Sequence, residues 1–250
     1  MVAIQKTVGL IILLIQGLSL NSQAQQTVGS LRQTSGSEQC SIQQISNPKA
    51  HAVYSEHYYK RLSEFKQESP IKKKEIVMIG NSLTENGGDW SLRLHKKQVR
   101  NRGIIGDDAQ GIYDRLDEIT AAKPKKIFIM VGINDLSHDL SVDSILCQIT
   151  KVIDKIRQDT PKTKLYIQSI LPINESFGRY KKLEGKSDLI PVINLGLELL
   201  ASSRKAHFIN LFSLFTEEDT HLLRKELTND GLHLNEMGYE IWSKALKKHL

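Results

Sequence analysis

Short strand-length runs, most of them apolar, alternate with longer stretches whose apolar residues recur at three-to-four spacing, and this alternation constrains the chain most. The strand candidates are Glu75–Gly80 (EIVMIG), Gln98–Arg102, Lys126–Val131 (KIFIMV), Lys164–Ile170 (KLYIQSI) and His207–Leu211 (HFINL). Between and after them the spacing predicts helices over Leu83–His95, Ala109–Ala121, Ser141–Gln158, Asp188–Ser203 and Asn235–His249. Pro124 and Pro161 stand where helices must stop before a strand. Strands that are apolar at every position, separated by helices, require a parallel sheet covered on both faces. The expected class is therefore α/β, a three-layer α/β/α sandwich around five parallel strands. Such sheets carry their sites at the carboxyl ends of the strands. That rule selects the loops 81–84, 103–108, 132–135 and 171–175.

One domain is expected, over residues 49–250, with an outer helix at His51–Glu68 and the core at 75–250. What precedes it reads differently. Lys6, the apolar stretch Val8–Leu20 and the small residues of Ser22-Gln23-Ala24 have the pattern of a secretory signal peptide cut after Ala24. The apolar stretch is shorter than the roughly 18–20 residues of a spanning helix. No lasting membrane anchor is expected, and the mature protein is placed in a periplasm or outside the cell. Residues 25–48, rich in Gln, Ser, Thr and Gly, read as a flexible leader. Two cysteines, Cys40 and Cys147, cannot define a disulfide framework, and the expectation is that they stay unbonded. The net charge of +6 falls to +5 once Lys6 is removed with residues 1–24. The basic residues form small clusters with interspersed acids, not a continuous stripe, so no nucleic-acid partner is expected. The oligomeric state is not legible.

Each selected loop offers a little chemistry. Gly80-Asn81-Ser82-Leu83-Thr84 runs a strand straight into a serine that opens a helix, where free N–H groups can stabilise an oxyanion. Taken alone, such a serine is more often a helix cap. Gly106, in Asn101-Arg102-Gly103-Ile104-Ile105-Gly106-Asp107-Asp108, can present its N–H to a close ligand, although a turn glycine would look the same. Asn134, in Gly132-Ile133-Asn134-Asp135, carries an amide that can donate to developing negative charge, but Asn and Asp are also ordinary turn formers. In Asp230-Gly231-Leu232-His233 the acid stands three residues ahead of the imidazole and can reach its Nδ1, freeing Nε2 as a base. His138, with Asp139 adjacent, is the nearest rival. No His-Glu-x-x-His, Cys-x-x-Cys, Walker-type or dinucleotide glycine motif occurs, so no metal and no cofactor is expected.

The four blocks in this order closely resemble those of the SGNH, or GDSL-like, hydrolase family, over residue 75 to the C-terminus. Within it the chain looks most like the platelet-activating-factor acetylhydrolase-like and carbohydrate acetylesterase branches. The resemblance implies a flavodoxin-like fold and Ser82 as nucleophile, with Asp230 and His233 as its partners. It also implies an oxyanion hole of the Ser82 and Gly106 N–H groups and the Asn134 side chain. Asn81 departs from the Asp of the family's name-motif, outside the inferred proton relay.

The stretch Pro172–Pro191 is long for a strand-to-helix connection and leaves from the active end of the sheet. Its Phe177, Arg179 and Tyr180, with Asn81 and Asp135 of the motif loops, form the expected substrate-contacting set; a plain solvated loop is the alternative. The family resemblance favours a small-molecule or glycan ester carrying a short acyl group, such as acetyl on a carbohydrate or on sialic acid. A lysophospholipase or thioesterase with the same site, and a binding module without turnover, are the competing readings.

Overall fold

A computed structural model of the protein describes residues 54–250. The expected signal peptide and leader, the first three residues of the helix placed at His51–Glu68, and Cys40 lie outside the described residues. Five strands form one sheet: β1 Ile76–Gly80, β2 Val99–Gly103, β3 Lys126–Met130, β4 Lys164–Gln168 and β5 His207–Ile209. All pairings are parallel, in the order β2-β1-β3-β4-β5. The expected strands start within one residue of these and end within two.

The side-chain period of two explains why the strands read as solid apolar runs. Val77, Ile79, Ile127, Ile129, Leu165 and Ile167 point into one apolar cluster, and Ile76, Met78, Phe128, Met130 and Tyr166 into the other. The first cluster is closed by α4 (Ala109–Asp114), α5 (Leu116–Ala122), α7 (Val142–Asp159) and α8 (Leu189–Ser203). The second is closed by α3 (Trp90–Leu94) and α10 (Glu236–Lys247), whose Trp90 and Trp242 are fully buried with ring centroids 5.0 Å apart. Truncating a core Trp typically costs about 3–5 kcal/mol. The outer helix α1 (Glu56–Gln67) begins at Ser55, which accepts from the Tyr58 N–H as a helix cap. Its Phe65 lies under the Arg102 guanidinium, which is fully buried and paired with Glu68 and Glu118.

Three expectations fail in instructive ways. The helix placed at Leu83–His95 is two, α2 (Ser82–Glu85) and α3, parted at Gly87-Gly88. A Cβ on Gly87 would stand 2.5 Å from the Trp90 ring, and Gly88 has φ +64°. The helix placed at Ala109–Ala121 breaks at Arg115, and the loop 132–135 opens a short helix of its own, α6 (Ile133–Ser137). Cys147, expected as an unbonded thiol, is disulfide-bonded. It lies beside the buried stripe of α7 and not in it, so its sulfur is not enclosed by the core.

β1 connects outward to β2 on one side, and the chain then returns to lay β3 on the other. The loops after β1 and β3 therefore diverge and leave a crevice at the carboxyl end of the sheet.

Candidate active site

β1 ends at Gly80 because the chain there has no room for a side chain: a Cβ would come within 2.2 Å of Thr84 Oγ1 and 2.7 Å of the Met130 carbonyl. The strand can thus turn at once into α2. Asn81 caps that helix, its Oδ1 accepting from the Leu83 N–H at 3.0 Å, and Ser82 is the first helical residue. The Leu83 and Thr84 carbonyls are held by the Tyr239 hydroxyl and the Trp90 indole, both at 2.9 Å, which fixes the short helix against the second core cluster.

The loop after Leu227 bends back on itself, Gly231 at φ +87° and its ends Thr228 and Leu234 bridged. Leu232 enters one core cluster and Leu234 the other, which anchors the segment on both sides of His233. Its Nε2 is 2.9 Å from Ser82 Oγ and its Nδ1 2.8 Å from Asp230 Oδ2. The other oxygen of Asp230 accepts from the backbone N–H groups of Leu232 and His233, at 3.0 and 2.8 Å. Burial pushes the Asp230 carboxyl up, but donation from the His233 ring, these two N–H groups and the Tyr180 hydroxyl outweighs it and holds the group well below the usual carboxylate range. Asp230 is therefore a fixed anion. His138 pairs with Asp108 at 3.5 Å and is exposed.

In the loop after β2, Gly106 has φ +80° with open space where a Cβ would be. Glu85 of α2 accepts from the Ile105 N–H at 2.6 Å and ties this loop to the helix that opens at Ser82. Asn134, at the start of α6, spends one amide hydrogen on the Asp107 carbonyl at 2.8 Å, leaving the other for a ligand. Sequence reading missed Arg115, which ties these pieces together. Its guanidinium donates to the carbonyls of Gly80 (3.2 Å) and Arg102 (2.9 Å) and to Asp107 Oδ2 (2.8 Å). A signal existed: Arg115 interrupts the apolar face made by Ile112, Leu116 and Ile119, all fully buried.

The expected substrate-contacting residues divide. Asn81 and Asp135 are each 1% exposed, and this corrects their assignment: Asn81 caps α2, and Asp135 accepts from the Ala109 N–H that opens α4. Phe177 and Arg179 are exposed on the long connection, Phe177 packing against Gly231. Tyr180 is turned inward, its hydroxyl 2.8 Å from Asp230 Oδ2 and 3.0 Å from His233 Nδ1. The connection is pinned, not freely solvated. The Glu175 carboxylate accepts from the N–H groups of Gly185, Lys186 and Ser187, and Lys186 Nζ reaches the Leu136 carbonyl of α6. Beneath it a small recess lies beside Asp230, lined by Ile173, Leu183 and Leu232. Its walls do not include Ser82, so it is no seat for the reacting acyl group. Among the described residues no group of three His, Cys, Asp or Glu side chains is placed to hold a metal ion.

This arrangement can transfer an acyl group: a hydroxyl bonded to a base, a base bonded to an anion, and donors opposite. Comparison with known proteins points the same way. Residues 78–241 match the model of the GDSL-like Lipase/Acylhydrolase family. A curated relative, N-acylneuraminate cytidylyltransferase of Escherichia coli O18:K1:H7 (strain RS218 / NMEC), is 26% identical over 204 residues, 80% of this chain and 45% of its own. The chain thus spans about half the length of that relative. A structure from Streptococcus pneumonia, solved under the name platelet activating factor, aligns with TM-score 0.69 at 29% identity, covering 77% of this chain and 92% of that one. A GDSL-like lipase from Bacteroides thetaiotaomicron aligns with TM-score 0.66 over 77% and 96% of the two chains; at 21% identity it speaks for the fold alone. With the family's model matched over most of its length, the chain belongs to the GDSL-like lipase/acylhydrolase family.

Proposed function

We propose that the chain is an exported esterase that removes short acyl groups, acetyl above all, from carbohydrate, with sialic acid as the sugar class. The observation that carries the catalytic part is the unbroken run from Ser82 Oγ through His233 to Asp230, at 2.9 and 2.8 Å. In this reading His233 Nε2 takes the proton of Ser82 as Oγ bonds to the ester carbonyl carbon, and Asp230 stabilises the imidazolium. The oxyanion lies among the N–H groups of Ser82 and Gly106 and the free amide hydrogen of Asn134. His233 then gives its proton to the leaving alkoxide as the ester C–O bond breaks. Water, deprotonated by His233, attacks the acyl-enzyme and releases the acid and Ser82.

The sugar class is supported by the curated relative, whose name states that it acts on N-acylneuraminate. Exposed Arg179 beside the site suits an acidic sugar. Export is supported by the N-terminal pattern of Lys6, the apolar stretch Val8–Leu20 and Ser22-Gln23-Ala24, that of a secretory signal peptide. Purified protein should hydrolyse p-nitrophenyl acetate, lose that activity with Ser82→Ala, and label at Ser82 with a fluorophosphonate. Turnover surviving Ser82→Ala would sink the mechanism. A best substrate among palmitoyl esters or lysophospholipids, over O-acetylated sialic acid, would sink the substrate class alone.

A further inference from the structure

Tyr180 sits on the long connection, yet its phenol meets the two groups behind the nucleophile. We propose that Tyr180 is a positioning residue of the proton relay, carried by the 172–191 connection, and that it fixes the imidazole in the one tautomer the reaction can use. The inference rests on the relay reading above.

The hydrogen-bond inventory decides the tautomer. Asp230 is anionic and can only accept. Its Oδ1 is already satisfied by the Leu232 and His233 N–H groups, which leaves Oδ2 for the ring and the phenol. The Tyr180 proton goes to Asp230 Oδ2 at 2.8 Å. Burial, then this donation to Asp230, pushes the phenol up to about 12, so it remains a donor at neutral pH. With that hydrogen committed, the phenol oxygen turns only lone pairs toward His233 Nδ1, 3.0 Å away. Nδ1 therefore faces two acceptors, and both are satisfied only if Nδ1 carries the hydrogen. Nε2 is then bare and faces Ser82 Oγ. The ring cannot turn away, because Tyr180 packs edge-on against it with centroids 5.7 Å apart and planes at 70°.

The connection supplies the placement. Gly178, in the left-handed region at φ +63°, reverses the chain two residues before Tyr180. On the other side, Glu175 closes the loop through its three backbone acceptances at 185–187. The relay is thus tied to a loop that Lys186 fastens to α6, the helix bearing Asn134.

The test compares Tyr180→Phe with wild type on p-nitrophenyl acetate, a substrate too small to reach the loop's exposed face. The expected result is a kcat lower by about tenfold, which is about 1.4 kcal/mol of barrier, with KM unchanged. Labelling of Ser82 by a fluorophosphonate should slow by a similar factor, with the melting temperature little changed. Glu175→Gln should give part of the same kcat loss, and the double variant should be no slower than Tyr180→Phe, since coupled residues do not add. If Tyr180 instead contacts substrate, Tyr180→Phe will raise KM for acetylated sugar and leave p-nitrophenyl acetate kinetics alone, which overturns the proposal. Unchanged kinetics on both substrates also overturns it. Loss of activity in Ser82→Ala alongside either outcome leaves the relay reading standing.

Discussion

Asp135 offers the sharpest measurement, because its side chain was expected to meet substrate and instead stores a pH dependence. It is 1% exposed, and both carboxylate oxygens share the Ala109 N–H, at 3.2 and 3.3 Å. Burial, reinforced by the neighbouring charges of Asp108 and Asp107, pushes it from the ordinary 3.8 to about 7. A carboxyl raised in the folded state binds its proton more tightly there than in the unfolded chain. Its contribution is therefore whole below pH 3.8, declines as pH rises, and is gone above about 7. A difference of about three units corresponds to about 4 kcal/mol. Asp135→Asn removes the charge and keeps an oxygen toward Ala109. Urea titrations of both proteins at pH 4.5, 6, 7 and 8 should show similar stability at the acid end. The variant should gain progressively, to about 4 kcal/mol at pH 8, or roughly 10 °C in melting temperature. Subtracting the two curves cancels the groups that do not feel Asp135, and leaves Asp135 with the Asp107 and Asp108 carboxyls coupled to it. Parallel curves would refute the argument, for they would mean that Asp135 ionises in the folded state as readily as in the unfolded one. Esterase activity should survive the change, because the carboxylate opens a helix and does not touch substrate.

Two further outcomes follow from the site's geometry. Asn134→Ala should lower kcat by about 10²–10³ with a smaller effect on KM, as removal of a side-chain oxyanion donor does in other acyl transfers; steady-state kinetics on p-nitrophenyl acetate checks it, and a loss under tenfold would take Asn134 out of the oxyanion hole. Gly80→Ala places a methyl group 2.7 Å from the Met130 carbonyl, which is backbone and cannot step aside, so a loss of about 1–3 kcal/mol is expected together with slower labelling of Ser82. Thermal melts and fluorophosphonate labelling read both effects, and a stable, fully reactive variant would show that the turn has slack.

The sheet was legible because its central strands β1 and β3 are buried on both faces, so continuous apolar runs of strand length mark them. Helix boundaries were less so wherever a tertiary contact overrides the local pattern. Gly87 yields to the Trp90 ring, and Arg115 leaves its helix to bind three groups from other elements. Of the site, Ser82, Asp230 and His233 could be named from the order of the blocks, since each stands at a strand end or in a loop where the fold collects its chemistry. The inward turn of Tyr180 could not. It depends on how a twenty-residue connection is pinned, by Glu175 on backbone and by Lys186 on a distant helix, and no local spacing encodes that. Asn81 and Asp135 were misplaced for the opposite reason. Adjacency to a motif residue says nothing of direction, and in a helix's first turn the neighbouring side chain points elsewhere.

The departure at Asn81 becomes intelligible once the acids around the site are considered together. Asp107 is buried beside Arg115 and Asp135 is buried beneath α4, and burial raises both. Asp230, by contrast, is surrounded by enough donors to be held down as an anion. Position 81 needs only an oxygen to cap α2, and it is as buried as Asp135. An aspartate there would have the Leu83 N–H as its side-chain donor and would add a buried negative charge next to the nucleophile, opposing the oxyanion that must form beside it. Asparagine supplies the same oxygen without that charge. Its cost is the amide nitrogen, which has no hydrogen-bond partner among the described residues. A neutral orphan of this kind costs about 1–3 kcal/mol, less than an unpaired ion at the same depth. Asparagine thus keeps the cap of the helix that opens at Ser82 without adding a buried charge there.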